Sequence, residues 1–315
     1  MALLIGTGIN FQGGISIISE AAPTGTQKAI FGYGQTAGGV LQSLTNLVSN
    51  TGVVATDTTG VGTARAYLAA AGYGTDKAIF IYGSQFVSNL VSNAGVVATD
   101  TTGVGTARTQ LAAAGYGTNK AILAYGYDYN NTGDVTNISN LISNTGVIAT
   151  DTTGVGQSRR GLAAAGYGTD KAIFGYGNAF LTGAIYSLTN KVSNTGVVAT
   201  DTTGVGTARR FLAAASYGTD KAIFGYGEGD VSMTNLVSNT GVVATDTTGV
   251  GTARKLLAAA GYGGDKSIFG YGQLSDNTTY YSLTNLVSNT GVVATDTTGV
   301  GTARSGLAAA GYSLT

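Results

Sequence analysis

Short apolar runs alternate with turns rich in Gly, Asn and Thr, and the same pattern recurs six times along the chain. The fullest unit reads SLTNLVSNTGVVATDTTGVGTAR, two variable positions, then LAAAGYGTDKAIFGYG. The runs LAAAGY, KAIFGY, LTNLVS and GVVATD have strand length, and residues such as Ile79, Phe80, Val53 and Val54 favour a half-buried pleated surface. SNTG, TDTTG and the GTD before each Lys are turn sequences. Because no 3.6-residue apolar stripe is present, the pattern predicts an all-β protein with four antiparallel strands per unit.

The spacing of the units predicts the architecture. The KAIFGYG-type segments begin at Lys28, Lys77, Lys120, Lys171, Lys221 and Lys266. Almost all variation in length falls directly after Gly-Tyr-Gly. A period in the forties with four strands per unit is typical of a β-propeller, here six-bladed. A parallel β-helix is the alternative, but its rungs are shorter and it needs no hairpin turns.

The ends of the chain predict a closed ring. The first unit lacks a preceding LAAAGY, and the last unit ends with one. We therefore expect Leu307–Tyr312 to pair with Ala29–Tyr33, so that the N-terminal blade contains both ends. The small side chains of Leu68, Ala69, Ala70 and Ala71 and their counterparts would surround a narrow axis. This assigns residues 23–315 to the propeller and residues 1–22 to a separate N-terminal arm.

The units resemble the kelch repeat. Asn-Leu-Val-Ser, a turn, a Val pair, an Arg, a small-residue strand and a strand ending in Gly-Tyr-Gly follow the kelch order, with Gly-Tyr-Gly in place of Gly-Gly. The kelch Trp is absent, and pairs such as Val53–Val54 stand in its place. The resemblance covers about residues 28–315. The kelch arginine is matched by Arg65, Arg108, Arg159, Arg209, Arg254 and Arg304.

The near-identity of the units is also similar to repetitive propeller proteins of bacteriophages, in particular cyanophage-like and other environmental phages. The short Gly-rich apolar start resembles the opening of phage structural proteins. This resemblance implies a component of a phage particle.

The amino-acid composition argues against several classes of partner and site. Sixteen basic residues balance sixteen acidic ones, so net charge gives no reason to expect nucleic acid or an anionic membrane as a partner. His and Cys are absent, which argues against zinc or copper sites and against the usual catalytic triads. No apolar run is long enough for a membrane-spanning helix. We expect no metal, no cofactor and no enzymatic activity.

Each unit repeats a small set of charged residues, shown by Asp57, Arg65, Asp76 and Lys77. Six ion-binding sites are one interpretation. The other is structural, with Asp capping turns and Arg pairing neighbouring blades, and we favour it because a bidentate guanidinium suits partly buried pairing. GVGTAR and GYGTDK do not open a helix, so they lack the mechanism of a phosphate-binding loop.

The units differ at two places, the loop after Gly-Tyr-Gly and the two residues after each repeat Arg. In a four-stranded blade both would emerge on one face, which we call the variable face. Tyr, Asn, Ser and Gly dominate it, a composition typical of adaptable binding surfaces, although drift in unconstrained loops is the alternative. The candidate ligand-binding residues are Tyr67, Gln110, Tyr127, Tyr129, Arg160, Phe180, Tyr186, Arg210, Phe211, Lys255, Tyr280 and Tyr281.

The N-terminal arm is a second candidate contact. Two short apolar strands, LLIGTGI and GISII, are marginal on their own in water, so we expect them to pack on the propeller or on a partner chain. The candidate docking residues for other virion proteins are Leu3, Leu4, Ile5, Ile9, Phe11, Ile15, Ile17 and Ile18.

The sequence thus predicts a non-enzymatic structural protein of the phage virion, in a tail, fibre or capsid-surface position. Its arm would dock on the particle, and its variable face would bind a host surface ligand, with a glycan or other receptor as the expected partner. A scaffold or decoration protein without a ligand, and a bacterial lectin or adhesin, are the alternatives. A loop-based glycan-cleaving enzyme is the least favoured.

Overall fold

Three of the four predicted runs in each unit form regular strands. The computed structural model describes residues 27–130 and 133–313, and every statement below refers to these residues. The proposed arm and its eight docking residues lie outside them. The strands called Ala strands here are Ala69–Tyr73, Ala112–Tyr116, Ala163–Tyr167, Ala213–Tyr217, Ala258–Tyr262 and Ala308–Tyr312. The Lys strands are Lys28–Gly32, Lys77–Ile81, Lys120–Ala124, Lys171–Gly175, Lys221–Gly225 and Lys266–Gly270. The Asn strands are Thr45–Val48, Val87–Val91, Ser139–Ile142, Thr189–Val192, Thr234–Val237 and Thr284–Val287.

The strands assemble into several small antiparallel sheets. In each unit the Lys strand lies in the middle, between an Ala strand and an Asn strand. A two-residue strand, Thr101–Thr102, extends one of these sheets, and Arg108–Thr109, Tyr127–Asp128 and Asp134–Val135 form a further small sheet. The helical content of the described chain is one 3₁₀ turn, Ala37–Gly39. The all-β prediction is confirmed.

One sheet contains strands from both ends of the described chain. Ala308–Tyr312 pairs with Lys28–Gly32 in the register Lys28↔Tyr312 to Gly32↔Ala308. This is the pairing that the sequence predicted. Each Ala strand also contacts the Ala strand of the next unit, and Ala308–Tyr312 contacts Ala69–Tyr73.

The prediction of a fourth regular strand from GVVATD is wrong. In the first unit this segment makes only isolated bridges, Val48↔Val54 and Thr45↔Thr58. Between the bridges the side-chain amide of Asn46, rather than a backbone amide, donates to the carbonyl of Ala55 at 3.0 Å. The ladder is therefore interrupted by a side chain, and Val53 is left 66 % exposed.

Buried Arg and Asn side chains and a more exposed Asp connect consecutive units in a repeated arrangement, called the clasp here. At the junction of the two ends, Arg304 Nη2 donates to Asn46 Oδ1 at 2.6 Å, and Asn46 Nδ2 donates to Asp57 Oδ1 at 2.9 Å. Asp57 in turn accepts the backbone N–H and the hydroxyl of Thr302. Burial on its own raises the pKa of the Asp57 carboxyl, but the hydrogen bonds from Thr302 and Asn46 outweigh it and hold that pKa below its usual range.

The tyrosine of each Gly-Tyr-Gly completes the contact between units. Tyr226, for example, is fully buried and adopts a positive φ of 64°. Its hydroxyl donates to Val250 O at 3.0 Å, and the guanidinium of Arg254 lies 4.6 Å from its ring centroid. Its ring also meets the Phe269 ring edge-on at 5.1 Å. The structural interpretation of the repeated Asp and Arg residues, turn capping and pairing between units, agrees with these contacts.

Candidate functional site

The two sets of variable positions meet, as the sequence predicted. The first residue after a repeat Arg pairs through its backbone with the start of the loop after Gly-Tyr-Gly. Arg160 and Asn178 exchange two N–H···O bonds of 3.0 and 2.9 Å, and Lys255 and Gln273 exchange two of 2.8 and 3.0 Å. Ser305 and Gln35 are paired in the same way. The constant strands therefore hold both variable sets on one surface.

The second residue after each repeat Arg forms a cycle of backbone hydrogen bonds that the sequence did not predict. Each of the six N–H groups donates to the carbonyl of the equivalent residue in the preceding unit, at 2.7 to 2.9 Å. The cycle encloses a small cavity of about 80 Å³ that is bordered by apolar side chains and by Gln110. Its members are Tyr67, Gln110, Gly161, Phe211, Leu256 and Gly306.

All six residues of this cycle have a positive φ, between 54° and 62°. That conformation costs a non-glycine residue roughly 1–2 kcal/mol, and only Gly161 and Gly306 adopt it freely. Tyr67, Gln110 and Phe211 are thus fixed by the backbone at the centre of the variable face. The two glycines were the only sequence signal for this conformation.

A matching cycle lies at the opposite end of the Ala strands. There the five hairpins between Ala and Lys strands bond one another in turn, for example Gly74 N to Asn119 O at 2.7 Å. In the sheet that contains both ends, Gln27 and Ser313 take the place of a hairpin, with Gly263 N bonding Gln27 O at 2.8 Å and Ser313 N bonding Asp76 O at 2.7 Å. These hairpins surround a larger cavity of about 320 Å³. Three of the lysines around it, Lys77, Lys171 and Lys266, pair with the preceding aspartate, whereas Lys120 follows Asn119.

Arg160 occupies an aromatic site on the variable face. Its guanidinium carbon lies 4.3 Å from the Phe180 ring centroid and 5.4 Å from that of Tyr127, and the two rings meet edge-on at 4.8 Å. Among the described residues no carboxylate lies within 4 Å of this guanidinium, and its Nε is buried without a partner. Burial and the nearby cation of Arg210 lower the pKa of Arg160 below its ordinary value.

The two other variable cations share one carboxylate. Glu228 makes an ion pair with Arg210 Nε, and its second oxygen accepts from Lys255 Nζ at 3.2 Å. Burial raises the pKa of Glu228, but the hydrogen bonds and charges of Arg210 and Lys255 outweigh that effect and lower it. Lys255 is only 6 % exposed. Its prediction as a ligand-binding residue is therefore not supported by its position, since the side chain is turned inward to Glu228.

The predicted tyrosines are half-buried and fall into separate groups. The Tyr67 hydroxyl accepts from Gln35 Nε2 at 2.9 Å. Burial, with a smaller effect from Tyr280, raises the pKa of Tyr67. Tyr186 and Tyr281 lie instead near Arg159 and Arg254. Burial lowers the pKa values of these two arginines, and the tyrosines oppose that effect only slightly. Burial, with a smaller effect from Asp128, raises the pKa of Tyr129. Of the predicted aromatic residues, Phe180 is exposed, at 37 %.

No protein-family model matches the chain, and no curated protein matches it. The kelch and phage resemblances therefore stay predictions. Within residues 27–130 and 133–313, no group of three acidic side chains is placed to hold a metal ion. The same part of the chain contains no helix that is long and apolar enough to cross a membrane.

Proposed function

We propose that the chain is a closed six-bladed β-propeller of kelch type that acts as a binding protein of a bacteriophage particle, with the variable face recognising a host surface glycan. The propeller is supported by the sheet that contains both ends and by the two cycles of backbone hydrogen bonds. In this arrangement each unit is one blade, and the Ala strands surround the axis.

The convergence of the variable positions supports binding as the function. Six nearly identical units keep the Arg, Asn and Asp residues of the clasp, while aromatic and charged residues differ at positions that the fold gathers on one surface. A sugar ring can lay an apolar face on an exposed aromatic ring, and Phe180 with Tyr127 offers such a platform. The absence of His and Cys from the sequence agrees with a binding rather than a catalytic role.

A glycan array tests the proposal directly. The purified protein is compared with a variant in which Tyr127, Tyr129, Tyr280 and Tyr281 are all changed to Ala. The matched control carries four Thr→Ala changes at the exposed hairpin threonines of the opposite end, Thr75, Thr118, Thr169 and Thr219. We expect the wild-type protein and the control to bind the same glycans and the tyrosine variant to lose them. Equal binding by the tyrosine variant would show that these tyrosines do not carry recognition, and no binding by the wild-type protein would favour a scaffold without a ligand.

A further inference from the structure

The geometry around Arg160 points to a more specific ligand, and this inference rests on the proposed glycan-binding function. We propose that Arg160, Phe180 and Tyr127 form a subsite for an acidic sugar, in which the guanidinium binds the carboxylate and the aromatic rings contact the sugar ring.

Comparison of the blades shows what Arg160 lacks. Arg210 occupies the equivalent position in the next blade, and there the residue after Gly-Tyr-Gly is Glu228, which pairs with it. In the blade of Arg160 the equivalent residue is Asn178, which carries no charge. The repeat thus provides a paired carboxylate for Arg210, whereas Glu228 acts on Arg160 only from beyond ion-pair distance.

Among the described residues, Arg160 is the one of the three cations after a repeat Arg that makes no ion pair, which favours an anionic ligand. Arg160, Arg210 and Lys255 are three cations, and Glu228 is the carboxylate that binds two of them. Asp230 accepts the backbone N–H of Ser275 at 3.0 Å, so this oxygen is engaged in the loop. A ligand carboxylate at Arg160 would form a charge-assisted hydrogen bond, which is about twice as strong as a neutral one.

Two buried polar atoms at the proposed subsite have no hydrogen-bond partner. Arg160 Nε and Asn178 Oδ1 are both buried without a hydrogen-bond partner. Their residues are directly opposite each other in an antiparallel bridge, so the two side chains extend to the same side. An unpaired donor and an unpaired acceptor on two paired residues suit a ligand that carries carboxylate and hydroxyl groups.

The neighbouring surface favours a saccharide over an acidic peptide. Phe180 is 37 % exposed beside the guanidinium, and Leu181 and Ile185 of the same loop are 76 % and 44 % exposed. These side chains offer exposed apolar area for a sugar ring next to the charge. An acidic peptide requires the cation but not the platform.

The experiment compares a short oligogalacturonate, its carboxyl-reduced form and a short polyglutamate peptide, with calorimetry on the full chain. We expect the wild-type protein to bind the oligogalacturonate and Arg160→Gln to weaken this binding by about tenfold or more. Small residues such as Ala66 and Ser305 stand at the equivalent position in other blades, so the fold accommodates the change. Lys191→Gln, on an Asn strand, is the control of equal charge and should bind as the wild type does.

Asn178→Glu is a second, independent variant. It places at Arg160 the carboxylate that Arg210 already has, so we expect loss of oligogalacturonate binding with Arg160 still present. Equal binding of the acidic and reduced sugars, or unchanged binding by both variants, would overturn the subsite and leave the glycan-binding function standing. Tighter binding of polyglutamate would overturn the sugar specificity. Failure of the wild type to bind any glycan on the array would remove the proposed function itself.

Discussion

The clasp that joins the two ends of the chain gives a quantitative test of ring closure. Asn46→Ala removes three hydrogen bonds, to Arg304 at 2.6 Å, to Asp57 at 2.9 Å and to the Ala55 carbonyl at 3.0 Å. Arg304 and Asn46 are fully buried, so the substitution leaves a guanidinium nitrogen without a partner. Breaking such a buried arrangement costs about 3–5 kcal/mol. The contribution of Asp57 belongs at the low end, since its side chain is 26 % exposed.

The repeat supplies a matched internal control. Asn235→Ala removes the same three bonds in an interior clasp, to Arg209 at 2.6 Å, to Asp246 at 2.9 Å and to the Ala244 carbonyl at 3.0 Å. In a closed ring the two junctions are equivalent, so both variants should lose the same free energy of unfolding within about 1 kcal/mol. In an open array Asn46→Ala would loosen only a terminal unit.

Urea unfolding followed by far-ultraviolet circular dichroism measures both losses. We expect a single transition in the wild type and a shift of its midpoint that is equal in the two variants. A loss below about 1 kcal/mol for Asn46→Ala, or a pre-transition that affects a small part of the signal, would refute the reasoning for closure.

Three further predictions concern packing between units and the ionisable side chains of the repeat. Gly225→Ile should destabilise the protein by about 1–3 kcal/mol or more, because a Cβ there would lie 2.7 Å from the Phe269 ring. Adding Phe269→Leu should recover most of the loss, since another pair of units already combines Ile81 with Leu123. A double-mutant cycle in urea that shows no coupling would contradict this. The clasp lowers the pKa of five aspartates, Asp57, Asp100, Asp151, Asp246 and Asp296, and so stabilises the folded state at pH values above their unfolded-state pKa. The melting temperature should therefore stay level down to about pH 5 and fall below about pH 4. A level profile down to about pH 2 would be inconsistent with the clasp. Burial raises the pKa of Tyr226, Tyr262 and Tyr271 to about 12. The tyrosinate absorbance of the folded protein should therefore show a late step near pH 12, and the free energy of unfolding should fall between about pH 10 and 12. Ionisation of all tyrosines near pH 10 without unfolding would show that these rings are not buried.

The strands and the pairing of the two ends could be predicted because they depend on local patterns. Short apolar runs and turn sequences define the Ala, Lys and Asn strands, and the incomplete first and last units leave one arrangement for Lys28–Gly32 and Ala308–Tyr312. The GVVATD segment has the same apolar character but does not form a strand. Its bonding is decided by the Asn46 side chain, and strand propensity contains no information about such a competitor.

The candidate site was predictable as a surface but not in its detail. Internal variation indicated which positions meet, because the residues after each repeat Arg pair with the loop after Gly-Tyr-Gly, but it did not indicate that Lys255, Asn178 and Ser305 are buried. The positive φ values of Tyr67, Gln110 and Phe211 could not be read from these residue types, because the conformation is imposed by bonds to neighbouring units. Likewise, the inward turn of Lys255 depends on Glu228, which lies 27 residues before it in the chain.

Binding to intact bacterial cells tests the central claim most directly. The labelled full chain, a version lacking residues 1–22 and the variant with Tyr127, Tyr129, Tyr280 and Tyr281 changed to Ala would be titrated against a panel of candidate host strains. Our account predicts saturable binding that survives removal of the arm and is lost in the tyrosine variant. Binding that disappears with residues 1–22, or that the tyrosine variant retains in full, would contradict recognition by the variable face.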